Sequence, residues 1–284
     1  MFRVTFWGVR GSIPSPGPHT VGVGGNTSCV EVRVADQVVI FDGGTGLRAL
    51  GEKLVREMPL TAHLFFSHVH WDHIQGFPFF LPAFVPGNTF HLYGGKNVSR
   101  TLEETLQGQM NYPNFPVKLE EMSGAMTFRD LHDQEEVFLA DGKVRIFGVP
   151  GNHPNGVLCY RLEYGGRSIV YATDTEHYAV HDPNILAVAK DADVFIYDSQ
   201  YTPEEYAGEG GRRPKVGWGH STMLEGATIA KLAGVGLYVL YHHDPTQNDE
   251  AVREKERRAR EVFPNAVAAY EGLEIDVTQA RRRV

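Results

Sequence analysis

The stretch Phe65-Phe66-Ser67-His68-Val69-His70-Trp71-Asp72-His73 places three histidines and one aspartate within six consecutive positions. A short apolar run, His63 to Phe66, reads as a buried strand leading into them. In extended chain, residues two apart project to the same side, so His68 and His70 face one way. A turn directly after them carries Asp72 and His73 to a second position nearby. Neutral imidazole and carboxylate are the donor types that bind Zn²⁺ or Mn²⁺. A single His-x-His is weak evidence, but four donors packed at a strand end point to metal chemistry. The chain has 13 histidines in 284 residues, and this cluster holds several of them.

The elements that must hold such a site follow from periodicity and turn residues. Phe2 to Trp7 reads as a strand, and Cys29 to Val34 with Val38 to Phe41 as two strands joined at Ala35-Asp36-Gln37. Leu47 to Met58 has a helical apolar period. Asp141-Gly142 and Gly165-Gly166 mark two hairpins, over 136–149 and 157–172. Val194 to Tyr197 and Leu237 to Tyr241 read as buried strands, Thr222 to Leu232 and Asp249 to Val262 as helices, and Ala266 to Val277 as a final strand pair. The segment from Pro78 to Met126 reads as long loops with one helix near Leu102 to Met110. Strands are expected to pair mostly as antiparallel neighbours, in sheets covered by helices.

Composition bounds the rest. With 42% hydrophobic and 22% charged residues, no repeat and no linker, residues 1–284 are expected to form a single globular domain. The net charge of −8 argues against a globally basic nucleic-acid clamp, though not against a local basic patch. No apolar run approaches ~18 residues, so no membrane partner is expected, and the first residues do not read as a signal peptide. Cys29 and Cys159 cannot make a disulfide framework, which fits a reducing compartment; a cytoplasmic location is expected.

The His-x-His-x-Asp-His array resembles the signature of the metallo-β-lactamase superfamily. That resemblance implies an α/β fold, a four-layer αββα sandwich of two mixed sheets covered by helices. It also implies further ligands after later strands, where His153, Asp174 and a histidine after Tyr241 stand. Carried over, the superfamily pattern puts His68, His70 and His153 on one divalent ion. It puts Asp72, His73 and His242 on a second, with Asp174 bridging. His242 and His243 are adjacent and point to opposite sides, so only one can be the ligand; the spacing from His220 resembles that of ribonuclease Z and favours His242. Asp42, in Phe41-Asp42-Gly43-Gly44, resembles the buried aspartate that orients the metal loop; the same residue suits a cap for the helix near Leu47.

Three motifs resemble the ribonuclease Z branch of phosphodiesterases. Gly8-Val9-Arg10-Gly11-Ser12 and Gly24-Gly25-Asn26-Thr27-Ser28 are similar to its opening, where backbone N–H groups could face an anion. Gly219-His220-Ser221-Thr222 resembles its His-Ser-Thr motif, whose histidine pairs with an acid and contacts the scissile phosphate. The acid here is Asp198, one methylene shorter than the family's glutamate. By this resemblance Asp72, Asp198 and His220 are the catalytic candidates, with His220 as general acid. The family's tRNA-gripping basic arm is missing. Only Gly208 to Lys215 stands in its place, with Arg212, Arg213 and Lys215 as candidate substrate contacts. The reading is a hydrolase with two divalent ions, zinc first and manganese or iron as alternatives. Its expected substrate is a small cyclic or linear nucleotide-type phosphodiester. The alternatives are a ribonuclease Z-type tRNA 3′-end endonuclease, acting on RNA, and a non-catalytic metal-binding sensor or assembly subunit. Dimers are common among the enzymes it resembles, which makes a homodimer one partner to look for.

Overall fold

A computed structural model describes residues 1–95 and 100–282. The chain builds one sheet, then the other. The first takes β1 (Phe2–Gly8), β2 (Cys29–Val34), β3 (Gln37–Phe41), β4 (Thr61–Phe66), β5 (Thr89–Gly95) and β6 (Ala125–Leu131). The second takes β7 (Glu136–Leu139), β8 (Val144–Gly151), β9 (Val157–Tyr164), β10 (Arg167–Ala172), β11 (Val194–Asp198), β12 (Leu237–Tyr241) and β13 (Ala266–Ala268). Finally β14 (Glu274–Asp276) returns to the first sheet beside β1, completing two mixed seven-stranded sheets.

Period-two alternation decides which side chains meet which layer. Val39, Phe41 and Phe65 point between the sheets, where the Phe41 ring stacks on Tyr171 at 5.2 Å and on Tyr160 at 5.7 Å. Their neighbours Val38, Ile40, Leu64 and Phe66 point outward to a second apolar cluster. There they meet α1 (Gly46–Leu54) through Leu47, Leu50 and Leu54, the short α2 (Trp71–Ile74), and α3 (Leu102–Gln109) through Leu102 and Leu106. On the other sheet the covering helices are α4 (Pro183–Ala189), α6 (Met223–Ala233) and α7 (Asp249–Val262), with α5 (Pro203–Ala207) beside them. Helix, sheet, sheet and helix make the expected four layers.

Three expectations are corrected. Half of the strand pairings are parallel: β3 with β4, β4 with β5, β5 with β6, and β10 through β13 in succession. Hairpin turns announce themselves locally, whereas parallel neighbours are joined by crossovers that leave no turn signature. β5 is an inner strand inside the segment expected to be loops. The expected final strand pair does not form, because β13 and β14 belong to different sheets.

The parallel pairing positions the site. β8 is antiparallel to β9, and β9 to β10, so β8, β10, β11 and β12 run the same way. The C-terminal ends of β3 and β4 lie together in the first sheet for the same reason. Residues after these six strands therefore collect at one edge of the sandwich. Both cysteines are buried and unpaired. Among the described residues, no helix is long and apolar enough to cross a membrane.

Candidate metal centre

Two donor sets meet at that edge. In the first, His68, His70 and His153 converge; in the second, Asp72, His73, Asp174 and His242 do, with the donor atoms of each set all within 4.8 Å of one another. The second set is compact: His73 Nε2 lies 3.2 Å from Asp72 Oδ2 and 3.3 Å from Asp174 Oδ1. His242 Nε2 lies 3.2 Å from each of the same two oxygens and 3.3 Å from His73 Nε2. A tetrahedron with ~2.0–2.1 Å metal–ligand bonds has edges of about 3.3–3.4 Å. These spacings match that edge. The first set is looser: His153 Nε2 is 3.0 Å from His70 Nδ1, and Asp174 Oδ2 is 3.7 Å from His68 Nε2 and 3.8 Å from His153 Nε2. Asp174 thus turns one oxygen to each set.

The outer ring nitrogens are tied down. Nδ1 of His68 meets Ser67 Oγ at 3.1 Å, Nδ1 of His73 meets Asp42 Oδ2 at 2.8 Å, Nδ1 of His153 meets the Gly219 carbonyl at 2.8 Å, and Nδ1 of His242 meets Gln200 Oε1 at 2.9 Å. A ring that donates through Nδ1 directs the Nε2 lone pair inward, the tautomer a metal ligand needs. His70 is reversed, with Nδ1 inward and Nε2 3.4 Å from Asn155 Nδ2. His68 Nε2 is buried and has no hydrogen-bond partner, which fits a donor aimed at a cation.

Charge points the same way. Burial lowers the His68, His70 and His153 imidazoles and so favours their neutral form. Burial alone would raise the Asp72 and Asp174 carboxyls, but the facing imidazoles outweigh it and hold both well below the usual carboxylate range. Burial acts to lower His73, yet Asp72, Asp174 and Asp42 together push it well above its ordinary value. So many ionised carboxylates in a buried site call for cations, and the donor chemistry fits a divalent metal.

Backbone geometry is bent to serve the site. Asp42, Asp174 and His242, each just past a strand end, have left-handed φ of +60°, +53° and +60°. That is a costly conformation for residues other than glycine, and it clusters at functional sites. Gly11 packs so close to the His242 ring that a Cβ would lie 2.5 Å from it. Its neighbour Ser12 donates its N–H to Asp72 Oδ2 at 2.7 Å. The opening Gly-rich loop therefore meets a protein carboxylate at this point. At Gly219, φ is +85° and a Cβ would stand 2.2 Å from His153 Nδ1, so only glycine fits.

The remaining candidates fall in several places. His220 donates from Nδ1 to Asp198 Oδ2 at 2.9 Å and stacks on His242 at 5.1 Å. His243 turns away, its Nε2 3.0 Å from the Ala269 carbonyl in a fully buried pocket. Asp42 does not cap α1, whose N-cap is Thr45. Its buried carboxylate instead accepts from Ser67 N at 2.7 Å, Ser67 Oγ at 2.8 Å and Tyr171 Oη at 2.7 Å, besides its contact with His73. Arg212 and Arg213 are exposed, and Lys215 is half-buried with Nζ 3.8 Å above the Trp218 ring and 5.7 Å from the Tyr201 ring. Trp71 points to solvent at 80% exposure although it sits between ligands.

Gln200 and Glu176 escaped the sequence reading. Glu176 is fully buried and accepts from Tyr206 Oη at 2.6 Å, Gly217 N at 2.7 Å and Gly219 N at 2.8 Å, while its own N–H donates to the Asn152 carbonyl. It ties the loop carrying His153 to the loop leading into His220. Nothing in its spacing separates it from surface acids. Gln200 stands two residues after Asp198, and only the fold shows that it reaches His242.

One consequence concerns stability. Asp42→Ala leaves a backbone N–H, two hydroxyls and an imidazole facing a void. Stability of the metal-free protein is expected to fall by about 3–5 kcal/mol, the range for removing one partner of a buried charge network. Urea unfolding checks this; a loss under about 1 kcal/mol would contradict the role given to Asp42.

Fold and donor set together define a metal-dependent hydrolase of the metallo-β-lactamase type. The profile of the family described as "Beta-lactamase superfamily domain" matches residues 37–243, and the chain belongs to that family. A ribonuclease Z from Bacillus subtilis (strain 168) is 27% identical over 259 residues, covering 75% of this chain and 80% of that protein. Among solved structures, the metallo-beta-lactamase fold protein YhfI from Bacillus subtilis matches with a TM-score of 0.69 at 20% identity, over 96% of this chain and 98% of that one. A diphosphatase from the PhnP family matches with a TM-score of 0.69 at 17% identity, over 97% and 98%. The likeness to these two structures is one of fold.

Proposed function

We propose that the protein is a phosphodiesterase using two divalent ions, zinc first and manganese or iron as alternatives, on small cyclic or linear nucleotide-type phosphodiesters. His68, His70 and His153 would hold one ion, Asp72, His73 and His242 the other, and Asp174 both. Ions bound there supply water activation and neutralisation of phosphoryl charge. Asp72 and Asp174 fix the donor sets and accept the proton given up by the attacking water. Asp198 orients His220 through Nδ1, leaving Nε2 to protonate the departing alkoxide, a poor leaving group near neutral pH. The observation that carries this reading is the buried Asp198–His220 pair beside the donors, with His220 Nδ1 only 3.8 Å from Asp174 Oδ2. Acyl hydrolysis has no evident use for a second acid–imidazole pair at that position.

The ribonuclease Z relatives favour a second reading, endonucleolytic cleavage of precursor tRNA. Against it stand the short loop at Gly208 to Lys215, where Arg212, Arg213 and Lys215 are the only cations, and the net charge of −8. The metal-loaded protein is expected to hydrolyse bis(p-nitrophenyl) phosphate, to lose this activity with a chelator, and to regain it with Zn²⁺ or Mn²⁺. Precursor tRNA cleaved at equal or better efficiency would put the second reading first. Hydrolysis of a chromogenic cephalosporin without diesterase activity would sink both.

A further inference from the structure

Next to the donor sets the fold leaves a cleft of about 310 Å³, and no step proposed so far uses it. His68 and His70 form its inner wall, so a phosphoryl group seated at the donors would have one substituent entering it. The floor is aliphatic. Leu131 at the end of β6 and Val157 and Leu158 at the start of β9 are buried in the protein yet line the cleft. Asp133 and Asn155 stand at its exposed rim and offer hydrogen-bonding groups. The volume lies at the lower end of the ~300–1,000 Å³ spanned by small-molecule sites, whose usual plan is an apolar body with a few polar groups. Gly95 keeps the floor low: a Cβ there would already stand 3.3 Å from Leu158 Cδ1.

The position relative to His220 gives the cleft a chemical direction. The His153 ring is 4.9 Å from His70 and 5.1 Å from His220; His70 lines the cleft and His220 does not. The cleft opens on the His70 side, and the group placed to protonate a leaving oxygen stands on the His220 side. We infer that this cleft is a subsite for a single uncharged ring-bearing substituent of the phosphodiester, such as one nucleoside, and that this substituent stays on phosphorus while the other ester oxygen departs. The inference rests on the phosphodiesterase reading for the second half only. In that step water adds its oxygen to phosphorus, the P–O bond on the His220 side breaks, and the departing oxygen takes a proton. A phosphomonoester remains in the cleft; a linear diester releases an alcohol, and a cyclic one keeps the freed hydroxyl on the same molecule.

The test compares two ligands that share a phosphoryl group and differ in what fills the cleft. By calorimetry, the metal-loaded protein is expected to bind thymidine 5′-phosphate at least about tenfold more tightly than methyl phosphate, the scale on which an apolar pocket discriminates. Val157→Phe fills the cleft and is expected to bring the two affinities within about twofold. Should that variant not fold, Leu131→Ala at the strand end widens the cleft instead. It is expected to weaken thymidine 5′-phosphate by about three- to tenfold and leave methyl phosphate unchanged. Equal wild-type affinities, or a preference untouched by both variants, would overturn the subsite. Binding readouts keep the outcomes apart. A preference without turnover of any diester would keep the cleft and sink the phosphodiesterase reading. Turnover without a preference would do the reverse. Release of thymidine, rather than of p-nitrophenol, from thymidine 5′-(p-nitrophenyl phosphate) would refute the assigned direction.

Discussion

Asp174→Asn is expected to abolish stoichiometric metal binding and to lower diester hydrolysis by roughly three orders of magnitude or more, because the lost charge belongs to both donor sets at once. Asp174 Oδ1 stands 3.2–3.3 Å from His242 and His73, and Oδ2 3.7–3.8 Å from His68 and His153. Its two carboxylate oxygens are thus divided between the two groups. Asparagine is the informative replacement. It keeps the shape of the side chain and tolerates the left-handed φ of +53° at this position, whereas alanine would add backbone strain to the loss of charge. Two measurements separate a metal defect from a folding defect. Elemental analysis after dialysis reports metal per chain. The difference in thermal midpoint between metal-loaded and metal-free protein reports binding linked to folding. In the wild type that difference should be several degrees; in Asp174→Asn it should vanish, whatever the metal-free midpoint loses with the buried charge. A variant that kept its metal and lost less than tenfold in rate would contradict the bridging assignment.

How much of this was legible beforehand depended on how locally each feature is encoded. The array at His68 to His73 could be read because a strand and a tight turn bring four donors together within six residues, and neither needs the rest of the fold. The hairpins about Asp141-Gly142 and Gly165-Gly166 were equally local. β5 was hidden for the opposite reason. Its Thr89-Phe90-His91-Leu92-Tyr93-Gly94-Gly95 sits among Pro and Gly, and its partners β4 and β6 are reached only through crossovers. His153, Asp174 and His242 lie far apart in sequence, and their meeting is a property of strand direction. The resemblance to a known superfamily supplied what spacing alone could not. The residues that hold the ligands in place were the least visible. Gln200, Glu176 and the Ser12 N–H act through contacts between distant loops, and the last of these uses a backbone N–H that every residue type except proline possesses.

The largest purely catalytic effect is expected at His220. Burial tends to lower its basicity, but the hydrogen-bonded Asp198 carboxylate, with Asp174 and Asp72 nearby, outweighs that and pushes the imidazole up to about 9. A dication in the neighbouring donor sets would oppose those carboxylates and make the imidazolium a stronger acid. His220→Ala is therefore expected to cut kcat by about 10²–10⁴ on a diester with an alkyl leaving group, with metal content unchanged. The loss should shrink to about tenfold or less when p-nitrophenolate leaves, because a weakly basic phenolate departs without a proton. That difference isolates proton donation from charge stabilisation of the phosphoryl group, which would affect both substrates alike. Asp198→Asn should reproduce the same leaving-group dependence, since its amide NH2 would face His220 Nδ1 as a second donor and disfavour the imidazolium that gives up the proton. Its other contacts, from Gln200 N at 3.0 Å and Ser221 N at 3.2 Å to Oδ1, can be kept by the amide oxygen. Equal losses on both leaving groups would assign His220 to the phosphate and remove it as the acid. Loss of metal in His220→Ala would instead make it a ligand, which its position within 4.8 Å of Asp174, Asp198 and His242 leaves sterically open.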